Sequence, residues 1–255
     1  MRAMKNAQQA LQQLREGNDR FVRGTSVYDP ALNAVQRSKL LEQQNPIAVV
    51  LGCSDSRVPV EMVFDQGFGD LFVIRVAGNV VASSQIASVE FAAEQFGVRL
   101  VVVMGHTNCG AVAATIDALS KNSSSEKLGN LRSIVDRIRP AVEGLLDLNL
   151  PPDQLVKQAV RSNARISANS LRHGSQSLER LSEQDNLLII GAEYCLDSGK
   201  VEFFDGVPVP ATDNDSASGA SHQGSVPGYG LLVKLGGKVR QLWLAIARLF
   251  NIGNQ

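Results

Sequence analysis

The chain of 255 residues carries no excess charge of either sign, its 25 Lys and Arg being matched by 25 Asp and Glu. That balance removes the electrostatic argument for nucleic acid as a partner, because such binding rests on a basic field. Cysteine is scarce: Cys53, Cys109 and Cys195, an odd number at uneven spacing, argue against a disulfide framework and for metal ligation or buried thiols. No apolar run is long enough to span a bilayer. The N-terminal stretch MRAMKNAQQALQQLREGNDRF lacks an apolar h-region and a small-residue cleavage site, so a cytoplasmic, reducing setting is expected. No internal repeat stands out.

What is present is ordinary globular composition, 44% hydrophobic and 20% charged, enough to bury one substantial core. Segment 5–23 spaces Ala7, Leu11, Leu14 and Phe21 among polar residues, which predicts an amphipathic helical arm needing a surface to lie on. Three short runs, PIAVVLG (46–52), DLFVIRVA (70–77) and RLVVVMG (99–105), show no polar alternation, as expected of strands covered on both faces. Between the second and third, SSQIASVEFAAEQFG (83–97) has helical spacing and a terminal Gly97. Helices are also expected just after Gly110, over 130–146 and over 152–172. NLLIIGAEYC (186–195) reads as a fourth buried strand, and SGKVEFF (198–204) as a turn into a fifth, antiparallel edge strand. The fold class is therefore α/β: a mostly parallel β-sheet flanked by helices, with an N-terminal helical arm and a C-terminal helical extension. Residues 1–207 form the expected catalytic domain, 208–228 a Pro/Gly/Ser-rich linker, and 229–255 an amphipathic basic helix.

Two motifs sit where strands run out. CSDSR (53–57) places Cys53, Asp55 and Arg57 on alternate positions, which in an extended backbone point the same way. GHTNCG (105–110) places His106 and Cys109 three apart on a loop entering a helix, where both can reach one ion. Cys53, His106 and Cys109 make a borderline-soft donor set suited to tetrahedral zinc with a fourth position open. In open α/β sheets functional groups gather beyond the carboxyl ends of strands, where both motifs lie. Taken singly, an H-x-x-C can be a coincidence of core residues and a strand-end cysteine a small buried hydrophobe. Cys195, in an apolar strand without ligand spacing nearby, is read as the latter. His173, at a polar helix end, and His222, in the linker, are read as solvent-exposed.

CSDSR and GHTNCG together, with GDLFVIRVAGN (69–79), NLRSIVDRIRPAV and GAEYCLDSGKVEFF, resemble the β-class carbonic anhydrases over about residues 5–205. The resemblance implies reversible hydration of CO2 to bicarbonate and a proton through attack of zinc-bound hydroxide, with one Zn2+ per chain on Cys53, His106 and Cys109. It implies Asp55 and Arg57 as the dyad beside the metal, and a homodimer or multiple of dimers with sites near the subunit interface and the arm of one chain lying on another. In that reading Asp55 orients the hydroxide as a hydrogen-bond acceptor and Arg57 restrains Asp55, which could otherwise take the fourth ligand position.

By resemblance to the plant-like subclass, Gln44 would donate to bicarbonate and Phe72 would form an apolar wall, while Phe91 stands where that subclass has tyrosine. The alternative for Gln44 is a polar loop residue in EQQNP. The bicarbonate-regulated subclass has tryptophan at the position of Val50, so the plant-like subclass is favoured. GFGDLF lacks G-x-G-x-x-G spacing and no P-loop is present, which argues against a nucleotide-dependent oxidoreductase. A non-catalytic scaffold would need neither dyad nor ligand set. In the tail, Leu232, Leu235, Val239, Leu242, Ile246 and Leu249 form a stripe opposite Lys234, Lys238, Gln241 and Arg248. The C-terminal helix could dock on its own subunit, on another protein or on a membrane surface.

Overall fold

Runs of Val, Leu and Ile without polar alternation can be satisfied only where both faces of a sheet are covered. A computed structural model, describing residues 5–27, 38, 40–41, 44–121 and 128–208, places the first and third of these runs so, while the second, DLFVIRVA, forms an edge strand buried only at Leu71 and half-buried or exposed beyond it. Strands β1 (Ala48–Gly52) and β3 (Leu100–His106) are buried along their whole length. With β2 (Leu71–Arg75), β4 (Leu188–Tyr194) and β5 (Val201–Asp205) they form a five-stranded sheet of order β2-β1-β3-β4-β5. Every pairing is parallel except β4 with β5, which is antiparallel and carries an irregularity at Gly191/Ala192. The antiparallel edge strand is the one expected.

Alternate residues of the central strands feed two cores. Ala48, Val50, Val102, Met104 and Ile190 pack with Leu11 and Leu14 of helix α1 (Ala7–Arg23) and with Val60 and Val63 of the short helix α2 (Val60–Val63). Val49, Leu51, Val101, Val103 and Ile189 face α3 (Ser83–Gln95), α6 (Pro152–His173) and α7 (Gln176–Gln184) through Val89, Ala92, Ala168, Leu171, Leu178 and Leu181. A third cluster, at the carboxyl end of β1, gathers Cys53 and Cys109 with Val112, Ile138, Val142 and Val160. These come from α4 (Gly110–Ser120), α5 (Arg132–Leu146) and α6.

Helix α1 is seated on the sheet of its own chain. The buried Asn18 side chain donates to the carbonyls of Val63 (3.1 Å) and Gly199 (2.9 Å) and accepts from the Val201 amide at 2.8 Å. A Cβ on Gly17 would sit 1.9 Å from the Phe64 carbonyl oxygen, so only glycine allows this approach. Helix α7 went unforeseen. Ser175 caps it by accepting from the Leu178 amide, and Leu178 and Leu181 are its buried face. Cys195 is corrected: β4 ends at Tyr194, and Cys195 is half-buried in a turn closed by its amide donating to Lys200 O at 2.8 Å. His173 is exposed and lies 3.5 Å from Glu179. His222, most of the linker and the C-terminal helix lie outside the described residues. No described helix is long and apolar enough to cross a membrane.

Candidate metal centre

The parallel register puts the last residues of β1 and β3 at the same end of the sheet, Gly52 opposite Met104, so the loops that follow emerge side by side. Cys53 is the first residue beyond β1, and His106 is the last residue of β3. The chain then reverses through Asn108, which takes a left-handed φ of 56°, a conformation Asn tolerates better than most residues, and reaches Cys109 at the N-cap of α4. His106 and Cys109 thus meet through this turn rather than as neighbours on one helical turn. The three ligand atoms of Cys53, His106 and Cys109 lie within 4.8 Å of one another, and all three residues are buried.

Asp55 and Arg57 also meet by a turn rather than along an extended strand. The Val58 amide donates to Asp55 O at 3.1 Å, closing the turn, and the Arg57 amide donates to Asp55 Oδ1 at 3.0 Å. The Arg57 guanidinium grips the carboxylate with both prongs, Nε to Oδ1 at 2.9 Å and Nη2 to Oδ2 at 2.7 Å. Asp55 Oδ2 stands 3.9 Å from His106 Nε2. The Arg57 fork holds the Asp55 carboxyl well below the usual carboxylate range, so Asp55 is an anion at any ordinary pH.

The donor chemistry fits a zinc ion. A tetrahedral ion with Zn–S bonds of about 2.3 Å holds two sulfurs about 3.8 Å apart; Cys53 Sγ and Cys109 Sγ are 4.0 Å apart. His106 Nδ1 is 2.9 Å from the Thr107 carbonyl oxygen, which fixes the proton on Nδ1 and leaves Nε2 as the lone-pair nitrogen. That Nε2 is buried and has no hydrogen-bond partner, a cost a cation would remove. The contact between the two sulfurs lowers the pKa of the Cys53 thiol against the effect of burial, while the same contact together with burial raises that of Cys109. Burial works against protonation of His106, but the neighbouring Cys53 thiolate outweighs it and raises its pKa.

Three supporting residues escaped the sequence reading. Arg75, in register with Gly52, donates from Nε to Cys53 O (3.0 Å) and from Nη2 to Asp55 O (2.6 Å), tying the loop to the end of β2. The Gly78 amide donates to Cys53 Sγ at 3.4 Å, and Asn163 holds the Gly78 carbonyl. Gly78 follows β2 at φ 66°, and its unusual backbone was the one signal available in sequence, as VAGN.

Of the residues expected to touch substrate, Phe72 and Phe91 pack with each other. Gln44 is exposed. Phe72 pairs with Val49, three residues before the site end of β1. It packs with Phe91 and Phe96 at centroid distances of 6.3 and 6.1 Å, and Phe91 is 51% exposed.

Residues 48–201 match the family model described as carbonic anhydrase. The chain is 38% identical over 192 residues to carbonic anhydrase 2 of Mycobacterium tuberculosis, covering 75% of this chain and 89% of that one. Among solved structures it is similar to the β-carbonic anhydrase CafA of Aspergillus fumigatus, with a TM-score of 0.61 and 27% identity over 70% of this chain and 86% of that one. It shares its fold with one of two tetrameric β-carbonic anhydrases from Sordaria macrospora, with a TM-score of 0.60 and 22% identity over 68% of this chain and 89% of that one.

Proposed function

The chain belongs to the carbonic anhydrase family, and from that premise we propose that it hydrates CO2 reversibly to bicarbonate and a proton at a zinc ion held by Cys53, His106 and Cys109. The observation that carries this reading is the buried His106 Nε2, orphaned and aimed among two thiols beside a clamped carboxylate. Zinc bound there supplies a water acidified to a pKa near 7, and so a nucleophile at neutral pH. Everything else is supplied by the chain. Two thiolates and a neutral imidazole offset the charge of a divalent cation, so the acidity of the site is set by hydrogen bonds around the ligands. Asp55, locked as an anion by Arg57, cannot act as a proton carrier. With zinc held there, Asp55 Oδ2, fixed by Arg57, would serve as the hydrogen-bond acceptor that orients the nucleophile toward CO2. Arg57 keeps that oxygen from becoming a ligand itself.

A pocket for CO2 and bicarbonate needs apolar walls and a donor, the roles assigned to Phe72, Phe91 and Gln44. Supplied by a second copy, these residues would make the working unit a homodimer or a multiple of it. The plant-like subclass is favoured by Val50, which offers no indole for a regulatory bicarbonate. A cytoplasmic setting fits thiolates kept reduced.

The test is metal analysis with stopped-flow CO2 hydration on the full chain. About one zinc per chain is expected, with activity lost on chelation and restored by zinc, and Cys109→Ser should lose metal and turnover together. Full hydration by metal-free protein overturns the reading.

A further inference from the structure

Helix α6 lines the third core cluster with small apolar residues, Ala159 and Val160, both essentially inaccessible to solvent. Beside them stands Asn163, 1% exposed. A buried primary amide is costly unless its groups are paired, and an aliphatic side chain would fill the same space without that cost. Asn163 makes one hydrogen bond: Nδ2 donates to the Gly78 carbonyl at 2.7 Å, while Oδ1 is buried without a partner. Whatever Asn163 contributes therefore passes through Gly78.

Gly78 lies in a tight turn, Ala77–Asn79, at φ 66° and ψ 18°, followed by a second left-handed residue, Asn79, at φ 44°. A glycine has no side chain to fix its rotation. It is clamped instead from both ends, its carbonyl by Asn163 and its amide by the sulfur of Cys53, 3.4 Å away. An N–H directed at a metal thiolate draws charge from the sulfur, weakens its donation to the ion and changes how acidic the remaining position becomes.

We propose that Asn163 is a positioning residue of the metal centre, holding Gly78 so that its amide donates to the Cys53 thiolate. The inference rests on the metal-binding reading above. It links a helix 85 residues away in sequence to the electron density on one ligand.

The experiment replaces zinc by Co(II) in the full chain and compares wild type with Asn163→Leu, which keeps the branched heavy-atom shape and removes the donor. The thiolate-to-cobalt charge-transfer band should move to longer wavelength in the variant, because a sulfur released from its N–H gives up an electron more easily. Although the freed sulfur donates more strongly, it loses the hold that orients it toward the ion, so metal affinity, measured by chelator competition, should fall on the order of 10- to 100-fold. If Asn163→Leu melts at lower temperature but keeps the wild-type band, Asn163 is only a packing residue and the proposal is overturned. Should that variant not fold, the wild-type protein loaded with 113Cd answers by NMR. Scalar couplings are expected from the Gly78 amide proton to cadmium through sulfur, and from the Asn163 side-chain nitrogen to the Gly78 carbonyl carbon. Absence of either coupling overturns the proposal. A wild-type protein that takes up cobalt without any thiolate band fails differently, since it removes the metal reading itself.

Discussion

Placing one methyl group on Gly78 should unsettle this protein more than its size suggests. At φ 66° an alanine adopts the left-handed conformation, at a cost of about 1–2 kcal/mol. The new Cβ would also lie 2.7 Å from Ile138 Cδ1 and 3.1 Å from Ala111 Cβ. The isoleucine tip can move only within a closed core, and the alanine has no rotamer to change, so overpacking adds roughly 1–3 kcal/mol. Together Gly78→Ala should lose roughly 2–5 kcal/mol, a large share of the 5–15 kcal/mol typical of a domain. Gly144→Ala is the matched control: it lies within helix α5, its Cβ would meet nothing within 4 Å, and it should gain about 0.5–1 kcal/mol from helix propensity. Urea denaturation of wild type and both variants at one protein concentration measures the difference. If Gly78→Ala lost less than about 1 kcal/mol, the clamp on that turn would be far looser than argued.

The ligand set was legible because its chemistry is rare. Two thiols and an imidazole at strand ends have few other uses, and the structure brings all three within 4.8 Å. The local geometry was not legible, although the outcome was. Alternation in an extended chain and helical i, i+3 spacing were both invoked, yet the groups converge through a turn closed onto Asp55 O and a reversal at Asn108. Turns at strand ends bring several spacings to one point, so residue types carried the inference more than spacing did. Strands β1 and β3 were legible from their apolar runs, because burial on both faces leaves no room for polar residues. Helix α7 was missed because nine residues hold only two buried positions, too few for a period to show. Cys195 looked like strand interior because the turn that ends β4 is set by Gly199 and Lys200 further along the chain. Arg75, Gly78 and Asn163 were out of reach for a common reason: each acts on Cys53 through contacts 22 to 85 residues apart, which no local pattern encodes.

Further outcomes follow from the site and its surroundings. Glu193 is buried with one oxygen unpaired, and burial, partly offset by Arg161, raises its pKa. Ionising it costs more in the folded chain than in the unfolded one, so its protonated form favours folding, an advantage lost as pH rises from the unfolded value toward the folded one. Thermal melts should therefore show Glu193→Gln gaining on wild type as pH rises above the ordinary carboxylate range, and a difference flat with pH would sink this account. Light scattering should find a dimer or a multiple of it at micromolar concentration, and a stable, fully active monomer would contradict a pocket completed by a second copy. Asp55→Asn should keep its zinc and lose turnover by at least about 10²-fold, the scale of a misplaced reacting group, and wild-type rates would remove its role. Arg57→Ala tests the restraint itself. The variant still has the backbone amide of residue 57 on Asp55 Oδ1, so the oxygen set free is Oδ2, the one 3.9 Å from His106 Nε2. A carboxylate oxygen is an ordinary zinc ligand, and without the Arg57 guanidinium it is released to turn to the metal. The freed carboxylate should close the fourth position: zinc is retained at least as tightly as in wild type under chelator challenge, while CO2 hydration falls. Adding Asp55→Asn to Arg57→Ala takes away the invading ligand, so chelator resistance should return to the level of Asp55→Asn alone. If Arg57→Ala instead shed its zinc, or hydrated CO2 at the wild-type rate, the fork would be a surface ion pair with no hold over the metal centre.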